Sequence, residues 1–589
     1  MILKALYDYY QRSKDLAPEG FEPKEIPFLI RIDKDGNFKE LEDMHMDKKQ
    51  CKSFQVVKNN GRTSAPMPNI LWDNVEYVLN FTENHLLPQQ QLTDKEEAKR
   101  LKAIEKSNVK NQLFIDKVLE LASRYPQNEA FRAVALFYKK EQLDMIRKDP
   151  LWKEIEKKPT VNLSFRLEGE DEIVAEDDDL ADYITSSSKN DTGPSEDYPV
   201  CLITGEKAEP VATTTATMIP GSQATAKLVA FQVKSGYDSF GNLQGLNAPI
   251  SKKAEAAYTT ALNRLLAKDS PNKFMIGNRT FVFWASNSDE AAKAVEAGMT
   301  SLFSHIKEED NPNKRIEEVK EVFKAIYSGV LRTNPDDRFY ILGLAPNSAR
   351  IAVVYWNETT LKDFSKNIWQ HFEDINIADT RKEQRPYYGL HQMLRSVAFQ
   401  SKNENIPLNL PEATVKSIFQ GTPYPDTLFH ACLQRIRATQ EIGITRAAIL
   451  KAYNNRKYKN LKLKVMLDKE NTSPGYLCGR LFATLEYLQE KSSGINTILE
   501  KYMNAASGTP ATVFPTLLNL SIHHVEKLKR EGQYSKDYFE RKKREIIDKI
   551  PADGFPTHLD LREQGRFMVG YYHQRQYYYT SRKITTDKE

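Results

Sequence analysis

Cysteine is scarce in this sequence, and the few cysteines lie far apart. The 589 residues include four of them, Cys51, Cys201, Cys432 and Cys478, and no two form a CxxC pair. Zinc ribbons and disulfide frameworks need closely and regularly spaced cysteines, so neither is expected here. Free thiols are typical of a reducing compartment, and the sequence therefore predicts a cytoplasmic protein.

Long apolar segments are also missing. The mean hydropathy is −0.59, and no apolar run approaches the ~18 residues that a membrane-spanning helix needs. The first residues, MILKALYDYYQR, contain neither an apolar stretch nor a small-residue cleavage site, so we expect no secretory signal. With 40% hydrophobic and 28% charged residues, the chain can still bury a large core, which argues against a disordered or collagen-like protein.

The motifs of the common enzyme classes are absent as well. There is no GxxxxGK[ST] phosphate loop, no GxGxxG, no HExxH and no GxSxG. Carboxylates such as Asp336 and Asp337, which follow Pro335, are typical turn formers. The adjacent His523 and His524 would point about 100° apart on a helix, which rarely suits one metal ion. The sequence therefore predicts no catalysis, no cofactor and no metal, and a metal-dependent nuclease using Asp336 and Asp337 is the enzymatic alternative.

The net charge of +4 conceals two segments of opposite sign. Residues 168–182, EGEDEIVAEDDDLAD, contain nine acidic residues and no basic one, which predicts an exposed loop. Residues 434–464 contain nine basic residues and one acidic residue, with Tyr453 and Tyr458 among them. Such a mixture suits a surface that follows a phosphate backbone. The predicted backbone-binding residues are Arg446, Lys451, Arg456, Lys457 and Lys459.

Two polar loops have the composition of nucleic-acid readers. The first, KNNGRTSAPMP at residues 58–68, is basic, and the second, SGYDSFGNLQGLNAP at residues 235–249, is rich in glycine and amide side chains. Amides and arginines donate to phosphates and reach base edges, and glycine permits close approach of the backbone. Ordinary turns remain the alternative for both loops. The residues selected as candidate readers are Arg62, Ser64, Asn69, Gln244 and Asn247.

Hydrophobic periodicity predicts an α+β fold with mixed strands in the N-terminal part and a helical bundle after it. Helices are predicted at residues 1–11, 69–81, 95–157, 252–266 and 312–327. Strands are predicted at residues 27–38 with an Asp-Gly turn, at 227–233, at 274–285 and at 338–356.

Helical spacing dominates the rest of the chain. Five helices are predicted at residues 475–491, 495–505, 511–530, 535–549 and 562–579. The apolar positions expected to face their core are Leu477, Leu481, Leu485 and Leu488, then Val513, Leu517, Leu520 and His524. We therefore predict an N-terminal α+β domain at residues 1–360, a basic helical connection at 361–465 and a helical bundle at 466–589.

Many segments together resemble the large subunit of the type I-C CRISPR surveillance complex, Cascade, in the Csd family. In chain order they are MILKALYDYYQR, RTSAPMPNILWDN, CLITGE, FGNLQGLNAPIS, AYTTALNRLL, FVFWA, FYILGLAPNSARIAVVYW, GTPYP, RAAILKAYNNR, GRLFATLEYLQ, AASGTPATVFP and QGRFMVGYYHQRQYYYT. The resemblance runs in order over essentially the whole chain, and none of the segments is a catalytic signature.

The resemblance implies a non-catalytic subunit that lies at the 5′-handle end of the CRISPR RNA, beside the Cascade backbone and crRNA-processing subunits. It implies recognition of the protospacer-adjacent motif in double-stranded target DNA by the N-terminal part, help with strand opening, and docking of the helicase–nuclease. It further implies a small subunit translated from an internal start, for which Met466 is the selected residue. A purely structural assembly subunit that never reads DNA is the third alternative.

Overall fold

The computed structural model describes residues 1–13, 16–18, 20–46, 51–58, 65–85, 93–189, 198–217, 219–231, 241–276, 278–303, 312–380, 389–458, 460, 462–530 and 536–586. The chain divides into two compact units. The first unit comprises Leu6–Thr215 and Phe231–Leu262. The second unit comprises Met1–Ala5, Ala216–Ala230 and Asn263–Glu589.

The N-terminal half of the chain alternates short strands with helices. In chain order the elements are α1 (Ile2–Arg12), β1 (Phe21–Glu25), β2 (Phe28–Ile32), β3 (Phe38–Asp43), β4 (Ser53–Val57), β5 (Trp72–Asn74), α2 (Val75–Leu79), α3 (Asp94–Arg124), α4 (Glu129–Lys139), α5 (Leu143–Ile146), α6 (Trp152–Lys157), β6 (Asn162–Leu167), α7 (Asp179–Lys189) and α8 (Lys252–Leu266).

A four-stranded mixed sheet organises the first unit. Its strand order is β3-β2-β6-β5, with β2 and β6 parallel and the two outer pairs antiparallel, while β1 and β4 form a separate antiparallel pair. The inner strand β2 buries Phe28, Leu29, Ile30 and Ile32, as expected for a strand covered on both faces. The predicted hairpin is confirmed, and Gly36 adopts the positive φ of 77° that its turn requires.

Two predictions for the first unit were wrong in part. The predicted helix at residues 69–81 begins instead as strand β5, because Trp72 and Asp73 pair with β6, and only Val75–Leu79 is helical. The acidic segment is not simply an exposed loop, since Ile173, Val174 and Ala175 are buried in the core of the unit.

The second unit combines an antiparallel sheet with many helices. In chain order its elements are β7 (Lys273–Ile276), β8 (Arg279–Ala285), α9 (Glu290–Phe303), α10 (Pro312–Ser328), β9 (Arg338–Asn347), β10 (Arg350–Thr360), α11 (Leu361–Ile375), α12 (Leu390–Val397), α13 (Leu410–Phe419), α14 (Asp426–Thr439), α15 (Ile444–Lys457), α16 (Pro474–Ser493), α17 (Thr497–Gly508), α18 (Pro510–Arg530), α19 (Lys536–Ile547) and α20 (Leu561–Thr586).

The sheet of this unit has the order β10-β9-β8-β7, and every neighbouring pair is antiparallel. It confirms the predicted strands at residues 274–285 and 338–356. The predicted strand at residues 227–233 is reduced to one bridge between Lys227 and Arg350 in its described part, and residues 232 and 233 lie outside the described residues. The α+β fold class is confirmed.

One continuous hydrophobic core joins this sheet to the C-terminal helices. The predicted apolar stripe of α16 is confirmed, because Leu477, Leu481, Leu485 and Leu488 are all buried. On α18 the prediction is wrong for Leu520, which is 38% exposed. The predicted domain boundaries at residues 360 and 465 both fall within the second unit and stay a prediction.

Glycines let α16 and α20 approach each other closely. A Cβ atom on Gly475 or Gly479 would lie 2.0 Å from the carbonyl oxygen of Glu563 or Phe567, respectively, on α20. A Cβ on Gly570 of α20 would lie 2.4 Å from the carbonyl oxygen of Tyr476. No real side chain tolerates such distances, so the backbones of the two helices are in contact through these positions.

The close contact encloses a polar network. Arg480 is buried and donates to Gln574 across the contact at 3.1 Å, and the Tyr476 hydroxyl lies 2.9 Å from His573 Nδ1. Burial lowers the pKa of His573 to about 3, so its ring stays neutral at physiological pH. The tyrosines of the last helix are largely core residues, since Tyr571, Tyr572 and Tyr578 are all buried. Among the described residues, no helix is long and apolar enough to cross a bilayer.

We expect Gly479→Ala to destabilise the second unit, because the new methyl group can be accommodated only if α16 and α20 separate. Overpacking of this kind typically costs about 1–3 kcal/mol. The matched control is Gly508→Ala at the end of α17, where a Cβ would meet no heavy atom within 4 Å. Thermal unfolding should show a lower Tm for Gly479→Ala and an unchanged or slightly higher Tm for Gly508→Ala. Equal Tm values would contradict the close contact.

Candidate nucleic-acid interface

The glycine-rich segment is held tightly against a neighbouring strip of chain in the first unit. The amide of Gly245 donates to the carbonyl oxygen of Ala212 at 3.2 Å, and a Cβ on Gly245 would lie 1.8 Å from the carbonyl oxygen of Val211. Only glycine fits at this position. The close approach fixes the short 3-10 helix Gln244–Asn247 on the surface of the unit.

The two amide side chains of this turn have different surroundings. The Nδ2 group of Asn247 donates to the carbonyl oxygens of Asn242 at 3.1 Å and Gln244 at 2.9 Å, so it holds the turn together. The side chain of Gln244 is half-buried and has no hydrogen-bond partner within the described part of the chain. Gln244 adopts a φ of 44°, which is unusual for a residue other than glycine. The turn therefore presents the Gln244 amide and uses that of Asn247 as internal support.

The strip at residues 211–215 also contacts the start of the basic loop. Lys58, the first residue of that loop, donates from Nζ to Thr215 Oγ1 at 3.0 Å. One strip thus holds the glycine-rich turn at one end and the entry to the basic loop at the other. The predicted reader residues Arg62 and Ser64 lie outside the described residues.

Asn69 lies in the interior of the first unit. It is buried, and its backbone amide donates to Asp73 Oδ2 at 2.9 Å, just before strand β5. A buried side chain does not reach a base edge unless the segment moves. Asn69 is therefore the weakest member of the predicted reader set, and its role in base recognition stays a prediction.

The buried thiol of Cys201 lies next to Ser251, which follows the glycine-rich segment and directly precedes α8. The Sγ atom of Cys201 accepts a hydrogen bond from the backbone amide of Ser251 at 3.3 Å, while Ser251 Oγ caps α8 by accepting from the amide of Ala254. Burial alone would raise the pKa of this thiol, but hydrogen bonds from Ser251 and Thr204 outweigh it and lower the pKa to about 7. The thiolate is thus stabilised by fixed donors.

The basic segment belongs to the second unit, and two of its predicted cations are buried there. The guanidinium of Arg446 is buried and donates to the carbonyl oxygens of Ser396 and Glu441 and to Thr439 Oγ1. Lys451 is also buried. Their role in phosphate binding stays a prediction, which the burial and the internal acceptors of both side chains do not support.

Lys451 donates from Nζ to the carbonyl oxygen of Asp374 at 2.7 Å. Burial lowers its pKa to about 8, although the charges of Asp374 and Glu373 act in the opposite direction. A pKa of about 8 still leaves this amine mostly protonated at neutral pH, so it serves as an internal hydrogen-bond donor.

The remaining members of the segment are paired or not described. Arg456 forms a buried ion pair with Asp374 and donates to two carbonyl oxygens, so it too is a structural cation. Lys457, at the C-terminal end of α15, is more exposed and pairs with Asp426. Lys459 lies outside the described residues. The phosphate-binding role predicted for these cations stays a prediction, and among those described Lys457 is the exposed one.

The residues of the nuclease alternative form a turn. Asp337 accepts hydrogen bonds from the backbone amide of Asn334 and from Asn287 Nδ2, both at 2.7 Å.

His523 is exposed, and His524 Nδ1 lies 2.8 Å from Ser492 Oγ. Within the residues that the structure describes, no group of three histidine, cysteine or acidic side chains is placed to hold a metal ion.

Sequence reasoning missed the strip at residues 211–215, because a segment without periodicity or motif gives no local signal. It also missed the partner of Cys201. Ser251 directly before an alanine-rich helical pattern is a recognisable helix cap and indicates where that thiol's donor lies along the chain. The pairing itself joins residues 50 positions apart and could not be read from the sequence.

The sequence model of a family described as CRISPR-associated protein (Cas_Csd1) matches residues 6–579. No match was found among curated proteins. The family match extends over nearly the whole chain and includes most of the described residues of both units.

The thiol of Cys201 predicts a pH-dependent stability. Its folded pKa of about 7 lies below the ordinary value of 9.0, so its stabilising effect is complete above pH 9 and is lost as the pH falls through 7. We expect the Tm advantage of the native chain over Cys201→Ser to grow between pH 6 and pH 9, by the equivalent of about 2 kcal/mol. Cys432→Ser is the control, because burial raises the pKa of Cys432 to about 12 and its effect should not vary over this range. If the Tm difference from the native chain is independent of pH for both variants, the prediction is contradicted.

Proposed function

This chain belongs to the Cas_Csd1 family of CRISPR-associated proteins, and from this we propose that it is the non-catalytic large subunit of a type I-C Cascade complex. In this role it recognises the protospacer-adjacent motif in double-stranded DNA, helps form the R-loop and recruits the helicase–nuclease. The observation that carries the proposal is the family match over residues 6–579.

Guide-directed recognition explains what such a subunit needs. Pairing between guide RNA and target strand reads the long sequence, so the protein reads only a short flanking motif and contacts the nucleic-acid backbone. Hydrolysis then belongs to the recruited partner. This division of labour fits a chain in which the carboxylate pair of the nuclease alternative acts as a turn former.

The glycine-rich turn supports motif recognition in the first unit. Glutamine and asparagine amides recognise adenine through paired hydrogen bonds, and a rigid support lowers the entropic cost of presenting them. The Gln244 amide has no internal partner in the described chain, and Gly245 and Asn247 hold the turn that carries it. Gln244 is therefore the preferred base-contacting residue, and Asn247 is a positioning residue.

The remaining roles follow from the same proposal. Its partners are the CRISPR RNA, target double-stranded DNA, the Cascade backbone and crRNA-processing subunits, a small subunit and the helicase–nuclease, all in the cytoplasm. Residues 1–360 form the motif-reading part and residues 361–465 the connection. Residues 466–589 form a bundle resembling the small subunit. No observation on the described residues favours the nuclease or a purely structural assembly subunit over this proposal.

We expect Gln244→Ala, in the assembled complex, to narrow the affinity gap between targets with correct and scrambled flanking motifs. The loss of a paired amide–base contact should reduce discrimination by about 1–3 kcal/mol. Gln127→Ala is the matched control, because Gln127 is an exposed glutamine of the first unit outside this turn. Equilibrium binding to both DNA targets measures the gap for each variant.

The companion variant Asn247→Ala tests the support of the turn. It should narrow the gap as well, through a loosened turn, and Asn247→Asp should not restore it because a carboxylate cannot donate to the two carbonyl oxygens. If Gln244→Ala and Gln127→Ala show the same difference in affinity between correct and scrambled motifs, the glycine-rich turn does not read the motif.

The C-terminal bundle has the features of a separately made small subunit. Met466 is 65% exposed and precedes α16, and all partners of the α16–α20 glycine contact lie after it. A second small core also lies wholly after Met466. It consists of Tyr487, Leu488, Val525, Leu528, Phe539 and Tyr578. The alternative start at Met503 lies buried inside α17 and would remove α16.

Expression of the intact gene should therefore yield a second product of about 14 kDa that begins at Met466 and comprises the remaining 124 residues. Recoding Met466 to leucine should abolish the short product and leave the full-length chain. Recoding Met503 is the control and should leave the product in place. Mass spectrometry of the purified complex identifies the N-terminus, and a fragment that persists without Met466 would contradict the assignment.

A further inference from the structure

Four lysines form a stripe along helix α3 in the first unit. Lys95, Lys99, Lys102 and Lys106 follow each other at spacings of four, three and four residues, which places them on one face of the helix. All four are exposed. At a rise of 1.5 Å per residue, the stripe extends over about 16 Å. We refer to these four residues as the lysine stripe.

The charge of the lysine stripe is not balanced by ion pairs among the residues that the structure describes. None of its members forms an ion pair or hydrogen bond in the part of the chain that the structure describes. Two carboxylates at the start of the helix are used elsewhere: Glu96 belongs to the capping box with Thr93, and Glu97 pairs with Arg100 at 2.9 Å. Glu105 follows Lys102 by three residues and is therefore its neighbour on the helix surface, but the two side chains form no ion pair in the described structure.

The opposite side of α3 explains why the stripe faces solvent. Phe114, Val118 and Leu121 anchor the helix in the core of the unit. Nearer the stripe, Arg100 donates to the carbonyl oxygen of Asn84 at 2.9 Å. The helix is thus fixed along a side different from the one that carries the four lysines, so the flexible lysine side chains extend from a fixed helix face.

A row of unpaired like charges is costly for a protein to keep. Like charges at spacings of three and four residues destabilise a helix by about 0.2–0.5 kcal/mol per pair. The cost is removed when an external polyanion neutralises the row. A phosphate backbone meets this need because it carries regularly spaced charges and releases its counterions on binding.

From this geometry we infer that the lysine stripe binds the sugar–phosphate backbone of a nucleic acid, independently of base sequence. The stripe is distinct from the glycine-rich turn and from the basic segment at residues 434–464. Lysine is a flexible point charge rather than a planar fork, which suits backbone contact better than base readout. The inference requires only that the protein meets nucleic acid, and it does not depend on motif recognition.

The test compares two variants of the full-length protein with equal loss of charge. The stripe variant carries Lys95→Gln, Lys99→Gln, Lys102→Gln and Lys106→Gln. The control variant changes Lys139, Lys148, Lys153 and Lys158 to Gln, four exposed lysines of the same unit that do not share a helical face. Fluorescence anisotropy with duplex DNA, single-stranded DNA and single-stranded RNA of random sequence, from 50 to 200 mM salt, measures affinity and its salt dependence.

The stripe variant should lose affinity for at least one of these probes by about tenfold or more at low salt. The slope of log K against log salt should fall by up to about 3.6 for duplex DNA or 2.8 for single strands, at ~0.9 or ~0.7 per phosphate contact. The probe with the largest change identifies the type of nucleic acid. A third variant with all four lysines changed to arginine should retain the native slope.

The inference is overturned if the stripe and control variants lose affinity equally on every probe, because net charge alone would then explain the effect. It is also overturned if the stripe variant keeps the native slope on all three probes, which would leave an acidic protein as the partner of the stripe. Circular dichroism should be unchanged, since the substitutions are exposed and glutamine is a good helix former. Motif discrimination by the assembled complex should stay intact, which separates this inference from the proposed role of Gln244.

Discussion

The backbone contact between α16 and α20 is the constraint on which the C-terminal half of the protein depends. Gly475, Gly479 and Gly570 remove the side chains that would hold the two helices apart. The contact brings Arg480 and His573 into the interior, where each finds a polar partner on the opposite helix. A buried arginine tolerates its loss of hydration only when such partners are in place. The packing and the polar network therefore support each other.

The first unit uses the same physical device on a smaller scale. Gly245 allows a turn to lie against the carbonyl oxygen of Val211, and Asn247 closes that turn with its own amide. The result is a surface turn whose conformation is determined by the protein and whose Gln244 amide has no partner among the described residues. A rigidly held polar group on a large scaffold is what reading a short DNA motif requires. The proposed function thus rests on local geometry and on membership of the Cas_Csd1 family.

Local patterns predicted much of the fold, and non-local contacts account for most of the failures. Helix α8 and the hairpin of β7 and β8 depend on periodicity and turn residues near in sequence, and both were predicted. Trp72 was predicted as helical because its pairing with Ser164 in β6 joins residues far apart. Composition shows the charge of Arg446 and Lys451 but not the carbonyl oxygens that surround them, so their burial could not be predicted.

Binding of the assembled complex to matched targets that differ only in the flanking motif tests the central claim most directly. Each wrong base pair in a specific site typically costs about 1–3 kcal/mol, so the complex should bind the correct motif at least about tenfold more tightly. Omission of this subunit should remove the difference. Equal affinity for both targets would contradict the account and favour a purely structural assembly subunit.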